Sequence, residues 1–241
     1  MGRTARLFVL IGALLLAGCC PARFGTRALT GSGRLVERDL DLSGFSRVEA
    51  GTAFQLDISR ADSYSVTITA DDNVIDDVEV GTADDTLRLR LRPGASVIRA
   101  TLRARIAMPT LRALSLSGAA RATLTGFSSD ESLDLDLSGA SELRGDARAG
   151  DTRLTISGAG QVDLDGGGRS LSIQGSGASS AELLEYPVGD ADVRLSGGSR
   201  ALVNASGTLD ADLSGGSSLE YAGNPTLRRV ETSGGSTIRP H

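Results

Sequence analysis

Four aspartates and one arginine in the middle of the chain are the residues best equipped for chemistry. Asp134, Asp136, Asp163 and Asp165 alternate with apolar neighbours that turn them outward, and Arg153 falls between the two pairs. An arginine base beside a carboxylate-held Ca²⁺ can cleave acidic polysaccharide, so Asp134, Asp136 and Arg153 form a candidate cluster for a β-helical lyase or hydrolase. The same residues would occupy the solvent side of any half-buried strand, whatever the function. Other chemistries lack their parts. The one His is His241, which reads as a solvated tail; there is no Lys, and the two Cys are Cys19 and Cys20. Ser-His-Asp and Cys-His catalysis therefore lack a base, and zinc or copper lacks its usual ligands. Asp71-Asp72 and Asp84-Asp85 suggest Ca²⁺ loops without the spacing of an EF-hand. In Ser157-Gly-Ala-Gly160-Gln-Val-Asp163 the Asp falls one place late for a glycine-aspartate calcium repeat, and no nine-residue period follows. No cofactor and no metal is expected.

What positions these residues is a phrase that returns seven times: two alternating apolar residues, then a small pair, usually Ser-Gly. Its glycines are Gly118, Gly139, Gly158, Gly175, Gly197, Gly215 and Gly234, at steps of 21, 19, 17, 22, 18 and 19 residues. Four residues before each stand Leu114, Leu135, Leu154, Leu171, Val193, Ala211 and Val230. Two before stand Leu116, Leu137, Ile156, Ile173, Leu195, Leu213 and Thr232. Side chains alternate faces along a strand, so both columns point inward and Ser115, Asp136, Thr155, Ser172, Arg194, Asp212 and Glu231 face water. The residue after each glycine is Ala, Ser or Gly, as a tight corner requires. Beyond the corner Ala122, Leu143, Val162, Ala201, Leu219 and Ile238 begin a second inward strand.

Antiparallel meanders would reverse successive phrases, whereas a parallel β-helix lays each over its predecessor at about 4.8 Å and makes ladders of like residues. The columns predict an all-β chain folded as a single-stranded parallel β-helix, with coils of about 17–22 residues, over a sandwich or propeller. Stacking would place Asp134 under Arg153, Asp210 under Arg229 and Arg194 beside Asp212, with Asp192 over Asp210 as a like-charge exception. Aromatic residues make up 3% of the chain, with no Trp, so the core is aliphatic. The net charge of −5, all its cations Arg and scattered among acids, argues against a nucleic-acid partner.

The first residues are not part of this pattern. Arg3 and Arg6 precede an apolar run from Leu7 to Leu16, and Leu16-Ala17-Gly18-Cys19 follows. The run falls short of the about 20 residues of a membrane-spanning helix and reads as a secretory signal over residues 1–18. Leu16 to Cys19 resembles the lipobox of bacterial lipoproteins. The resemblance implies cleavage before Cys19, lipidation of Cys19 and anchoring of the chain in a membrane. Cys20 is not Asp, so outer-membrane sorting is the expectation in a cell with two membranes. Residues 19–34, with Gly25, Gly31, Ser32 and Gly33, read as a flexible tether, and residues 35–241 as one domain. Within it, period-two alternation predicts strands around Leu40–Leu42, Phe54–Ile58, Tyr64–Ile68, Leu87–Leu91 and Leu102–Ile106, with turns at Asp71–Asn73, Gly81–Asp85 and Pro93-Gly94.

The domain also resembles the head GIN domain family, a bacterial domain of unassigned function named for an autotransporter-adhesin head. The matching phrases are Leu42-Ser-Gly-Phe45-Ser-Arg-Val48, Phe54-Gln-Leu-Asp-Ile58, Tyr64-Ser-Val-Thr-Ile68, the Leu-x-x-Ser-Gly units, Tyr221-Ala-Gly-Asn224-Pro225 and Ser233-Gly-Gly-Ser-Thr-Ile238. The resemblance implies a right-handed parallel β-helix on a secreted or surface-tethered protein, with no catalytic residues to carry over. The expected function is a non-enzymatic envelope lipoprotein whose polar face meets a glycan or an envelope protein. The rivals are the glycan-active enzyme and a structural or signalling protein acting through protein partners.

Overall fold

Leu, Ile and Val at every second position fold as strands from Leu35 onward, because each strand can bury one face only by lying against its neighbours. A computed structural model describes residues 27–241; Cys19 and the leader lie outside the described residues. The described residues are strand and turn apart from one 3₁₀ turn, Ile75–Asp77. Successive units pair in parallel and in register. One ladder runs Leu114, Leu135, Leu154, Ile173, Val193, Ala211, Val230. The ladder beyond the corner runs Ala122, Leu143, Val162, Ala181, Ala201, Leu219, Ile238. We call the first the front sheet and the second the back sheet; the chain is a β-helix with both sets of aliphatic side chains inside.

The fourth unit corrects one assignment. Gly175 pairs with Ile156 and Ile173 with Leu154, so Gly175 lies inside the strand and not at the corner. The corner residue is Gly177, in the left-handed region at φ 81° like Gly158 at 78° and Gly197 at 75°. Gln174-Gly175-Ser176-Gly177 offers two glycines two places apart, and only stacking distinguishes them. With Gly177 in place the corners recur every 18–21 residues. Each is tied to the previous one: the N–H after the glycine donates to the glycine carbonyl one coil back, as Ala178 does to Gly158 at 2.7 Å.

Glu142–Ile156 and Gln161–Gly175 each run for 15 residues without leaving the ladder. Gly145, at φ 127°, bends the first of these; the same position holds inward Leu124 and Leu164 in the adjacent coils. Gly145 thus interrupts an otherwise inward apolar column.

Two further rows extend the helix at its N-terminal end, and they stack out of sequence order. Arg47–Ala50 and Gln55–Arg60 lie directly against the first repeat unit, while Thr86–Leu91 and Leu102–Met108 lie outside them. That outer row is then covered by antiparallel strands. Val78–Ala83 closes the front sheet as a hairpin with Thr86–Leu91, and Ser65–Asp71 followed by Leu35–Leu40 closes the back sheet. Phe45, Phe54 and Tyr64 fill this end, with the Tyr64 hydroxyl donating to the Phe45 carbonyl at 3.0 Å.

Residues 27–34 of the expected tether lie within the fold. Arg27–Thr30 pairs in parallel with Ala95–Ile98, and Leu29 is buried. The buried carboxylate of Asp71 accepts from the Gly33 N–H at 2.6 Å and the Thr101 N–H at 2.7 Å. Gly31 is there for close approach: a Cβ on it would stand 2.7 Å from both Asp71 Oδ2 and the Arg99 carbonyl oxygen. Glycine and serine here serve packing where composition suggested flexibility.

Candidate polar groove on the front sheet

The outward columns of the front sheet are set by the two inward ones: once Leu135 and Leu137 are buried, Asp134 and Asp136 must face solvent. Stacking then fixes what each meets. Asp134 stands beside Arg153 in register and accepts from its guanidinium at 2.8 Å, with both side chains largely exposed. Asp136 lies between Ser115 and Thr155. Asp163 lies on the back sheet beside Arg144 and Glu182, so the corner separates it from the Asp134–Arg153 pair. The candidate cluster of Asp134, Asp136 and Arg153 stays together on the front sheet, with Asp134 and Arg153 as an exposed ion pair.

The other expected stacks form in register, yet their charges find different partners. Arg194 lies beside Asp212 but bonds Asp192 on its own strand at 2.8 Å. Asp210 lies beside Arg229 but bonds Arg228 at 3.2 Å, while Arg229 bonds Glu231 at 2.9 Å. Asp192 does stand over Asp210. Arginine is long enough to choose among several carboxylates at similar cost, so register does not fix the pair.

Where the front sheet meets the corner, the surface is concave. An open groove of about 320 Å³ runs over four coils, with Thr155, Gln174, Arg194 and Asp212 on one side and Ser176, Ser196 and Ser214 along the other. Asp136 continues the first row by one coil, beside Thr155, so the predicted cluster adjoins one end of the groove. The groove offers hydroxyls, an amide, a guanidinium and a carboxylate: groups that exchange hydrogen bonds with a polar ligand. No nucleophile there is hydrogen-bonded to a base.

Along the edge where the chain enters the front sheet, carboxylates tie coil to coil. Arg112 grips Glu131 with two nitrogens, at 2.7 and 3.0 Å, and holds its carboxyl below the usual range. Arg169 and the Ser170 hydroxyl do the same for Asp151. Of the paired aspartates that suggested Ca²⁺ loops, Asp71, Asp72 and Asp85 have carboxylates used internally. Asp72 accepts from Ser32 and Arg34, and Asp85 accepts from Ser46. Among the described residues no cluster of three or more His, Cys, Asp or Glu could hold a metal ion.

Three features escaped the sequence reading. Two places after the corner glycine, Ser141, Ser199 and Ser217 are buried and donate back across the turn to the carbonyls of Ser138, Ser196 and Ser214 at 2.7–2.8 Å. The recurrence of Ser at that position was its available signal. Tyr186 is fully buried, its hydroxyl 2.8 Å from Thr152 Oγ1, and burial pushes the phenol's pKa up. His241 is not a free tail: its Nδ1 lies 3.4 Å from Glu220 Oε2, and its backbone N–H donates to the Tyr221 carbonyl. Glu220 also accepts from Arg239 at 2.7 Å and Arg200 at 2.9 Å, and these partners, Arg239 foremost, hold its carboxyl below the ordinary value.

A family profile described as "Putative auto-transporter adhesin, head GIN domain" matches residues 44–225. Among solved structures the chain is similar to a "putative adhesin" from Bacteroides fragilis, at 22% identity and TM-score 0.83, over 88% of this chain and 100% of that one. It is similar to a "Putative lipid binding protein" from Parabacteroides distasonis at 13% identity and TM-score 0.69, over 89% and 100%. A "putative adhesin" from Parabacteroides merdae shares 16% identity and TM-score 0.67, over 89% and 99%. These likenesses concern the fold. No curated protein matches the chain.

Proposed function

The chain belongs to the head GIN domain family, and on that premise we propose that it is a non-enzymatic, lipid-anchored envelope protein whose β-helix binds a glycan or an envelope protein through the front sheet. The observation that carries this reading is the polar groove spanning four coils, where uncharged hydrogen-bonding groups accompany a single Arg and a single Asp. A β-helix holds such a groove on a stacked, hydrogen-bonded backbone, so its polar groups bind with little further ordering. The adhesin names of the family and its solved relatives point the same way, toward contact at the cell surface. Lipidation of Cys19 supplies the anchor, and Cys20 in place of Asp directs it to the outer membrane in a cell with two membranes.

The test is a binding screen of the full chain against glycans and envelope proteins, repeated with Gln174→Ala/Arg194→Ala. Binding that falls at least about tenfold in the variant supports the groove, since two or three polar contacts of about 1 kcal/mol each would be lost. Unchanged binding would move the site elsewhere. Depolymerisation of a uronate-rich glycan by the wild-type chain, lost in Asp134→Ala/Asp136→Ala/Arg153→Ala, would replace this reading with the enzymatic one. Failure of a Cys19→Ala variant to leave the membrane fraction would remove the anchor separately.

A further inference from the structure

The two ends of the β-helix are finished differently. Antiparallel strands cover both sheets at the N-terminal end, but no described strand pairs with the outer edge of Thr226–Thr232 or Thr237–Pro240. The inward columns are uncovered there as well. Leu227 is 43% and Val230 40% exposed, against 0% and 2% for Leu209 and Ala211 one coil back. A sheet edge with free amides over an apolar interior is a template for another strand.

The residues on that edge say which strand. On the back sheet Pro240 offers no N–H, which blunts pairing. The front strand carries no such block, and its centre reads Arg229-Val230-Glu231. Ser233 donates to the Leu213 carbonyl on the inner side, so by alternation the N–H and C=O of Val230 point to the open side. Antiparallel pairing of two such strands about a two-fold axis at Val230 would exchange both Val230 hydrogen bonds. It would also set Arg229 opposite Glu231 of the copy, twice, on the solvent face. The triplet is self-complementary in charge and in hydrogen bonding, as an isologous contact requires.

We propose that the chain pairs tail to tail with a second copy of itself through Thr226–Thr232, joining two front sheets into one. Because Arg27–Thr30 packs on the outer row at the capped end, the two Arg27–Thr30 strands of the pair stand at its opposite poles. Given the anchoring proposed above, on which this step rests, the pair joins two membrane surfaces.

Sedimentation of the full chain in detergent, from low concentration to about 100 µM, is expected to show a monomer–dimer equilibrium. Arg229→Glu should weaken it by about tenfold or more, because both mirrored pairs become repulsive, and Arg229→Glu/Glu231→Arg should restore it. Vesicles carrying the chain should cluster with the same pattern, incorporation being checked by flotation. A monomer throughout, a dimer indifferent to Arg229→Glu, or an open series of oligomers would overturn the pairing. Dimers in detergent with no clustering of loaded vesicles would overturn the bridging alone, and failed flotation would count against the anchor instead.

Discussion

Gly177 stands directly over Gly158: a Cβ built on Gly177 would lie 2.5 Å from the Gly158 carbonyl oxygen, with φ at 81°. Backbone therefore faces backbone at every corner, and neither can give way. Gly177→Ala is expected to cost about 2 kcal/mol or more, adding left-handed strain to the clash. At Gly175 the nearest atom to an added Cβ is Leu195 Cδ2, the end of a movable side chain. Gly175→Ala should stay within about 1 kcal/mol. Urea unfolding of the two variants measures the difference; equal costs would return the corner to Gly175.

Tyr186 and Thr152 are each other's hydrogen-bond partners within the core. Tyr186→Phe should destabilise by about 1–2 kcal/mol, since it leaves a buried hydroxyl with no partner. Thr152→Val in the same background should add less than it costs alone. A double-mutant cycle by thermal or urea unfolding reads this coupling, and strict additivity would refute it.

The Glu220 carboxylate gathers Arg200, Arg239 and His241, so its folded pKa lies below the ordinary 4.5. A depressed carboxylate contributes stability that is fully present above its unfolded pKa and fades as pH falls through the folded one. Asp72, Asp85, Glu131, Asp151 and Asp190 are shifted in the same direction by their own donors. Stability should therefore decline with acidification below about pH 4.5, and Glu220→Gln should flatten part of that decline while lowering stability at neutral pH. Parallel slopes for wild type and variant would show the cluster to be indifferent to protonation.

The inward columns were legible because burial on every coil demands an aliphatic side chain, and Leu114, Leu135, Leu154 and Val193 answer that demand one coil at a time. The exposed pair Asp134–Arg153 followed from the same count. Gly175 was misplaced because both its neighbours in sequence and its spacing imitate a corner; its true partner, Ile156, is identified only by stacking. The order of the N-terminal rows was hidden for a related reason. Leu56, Ile58, Leu87 and Leu89 alternate alike, and nothing local says which strand lies outermost. The partners of His241 and Asp71 were hidden because polar contacts across 21 to 38 residues leave no periodic trace. The groove has no motif at all: it is assembled from unlike residues, Thr155, Gln174, Arg194 and Asp212, that share only a position in the coil.

The inverted order of the first two rows bears on how the molecule is made. Arg47–Arg60 cannot be covered on its outer side until Thr86–Met108 exists, and the two strands laid directly on that outer row, Ser65–Asp71 and Val78–Ala83, lie between them in the chain. A ribosome must therefore deliver roughly the first half of the polypeptide before one complete, closed layer can form; from there each new coil needs only the one before it. Growth acquires a direction. Stepwise deletion of coils from the distal end should shorten a still-folded rod, whereas loss of any strand between Leu35 and Met108 removes the platform on which the rest is laid.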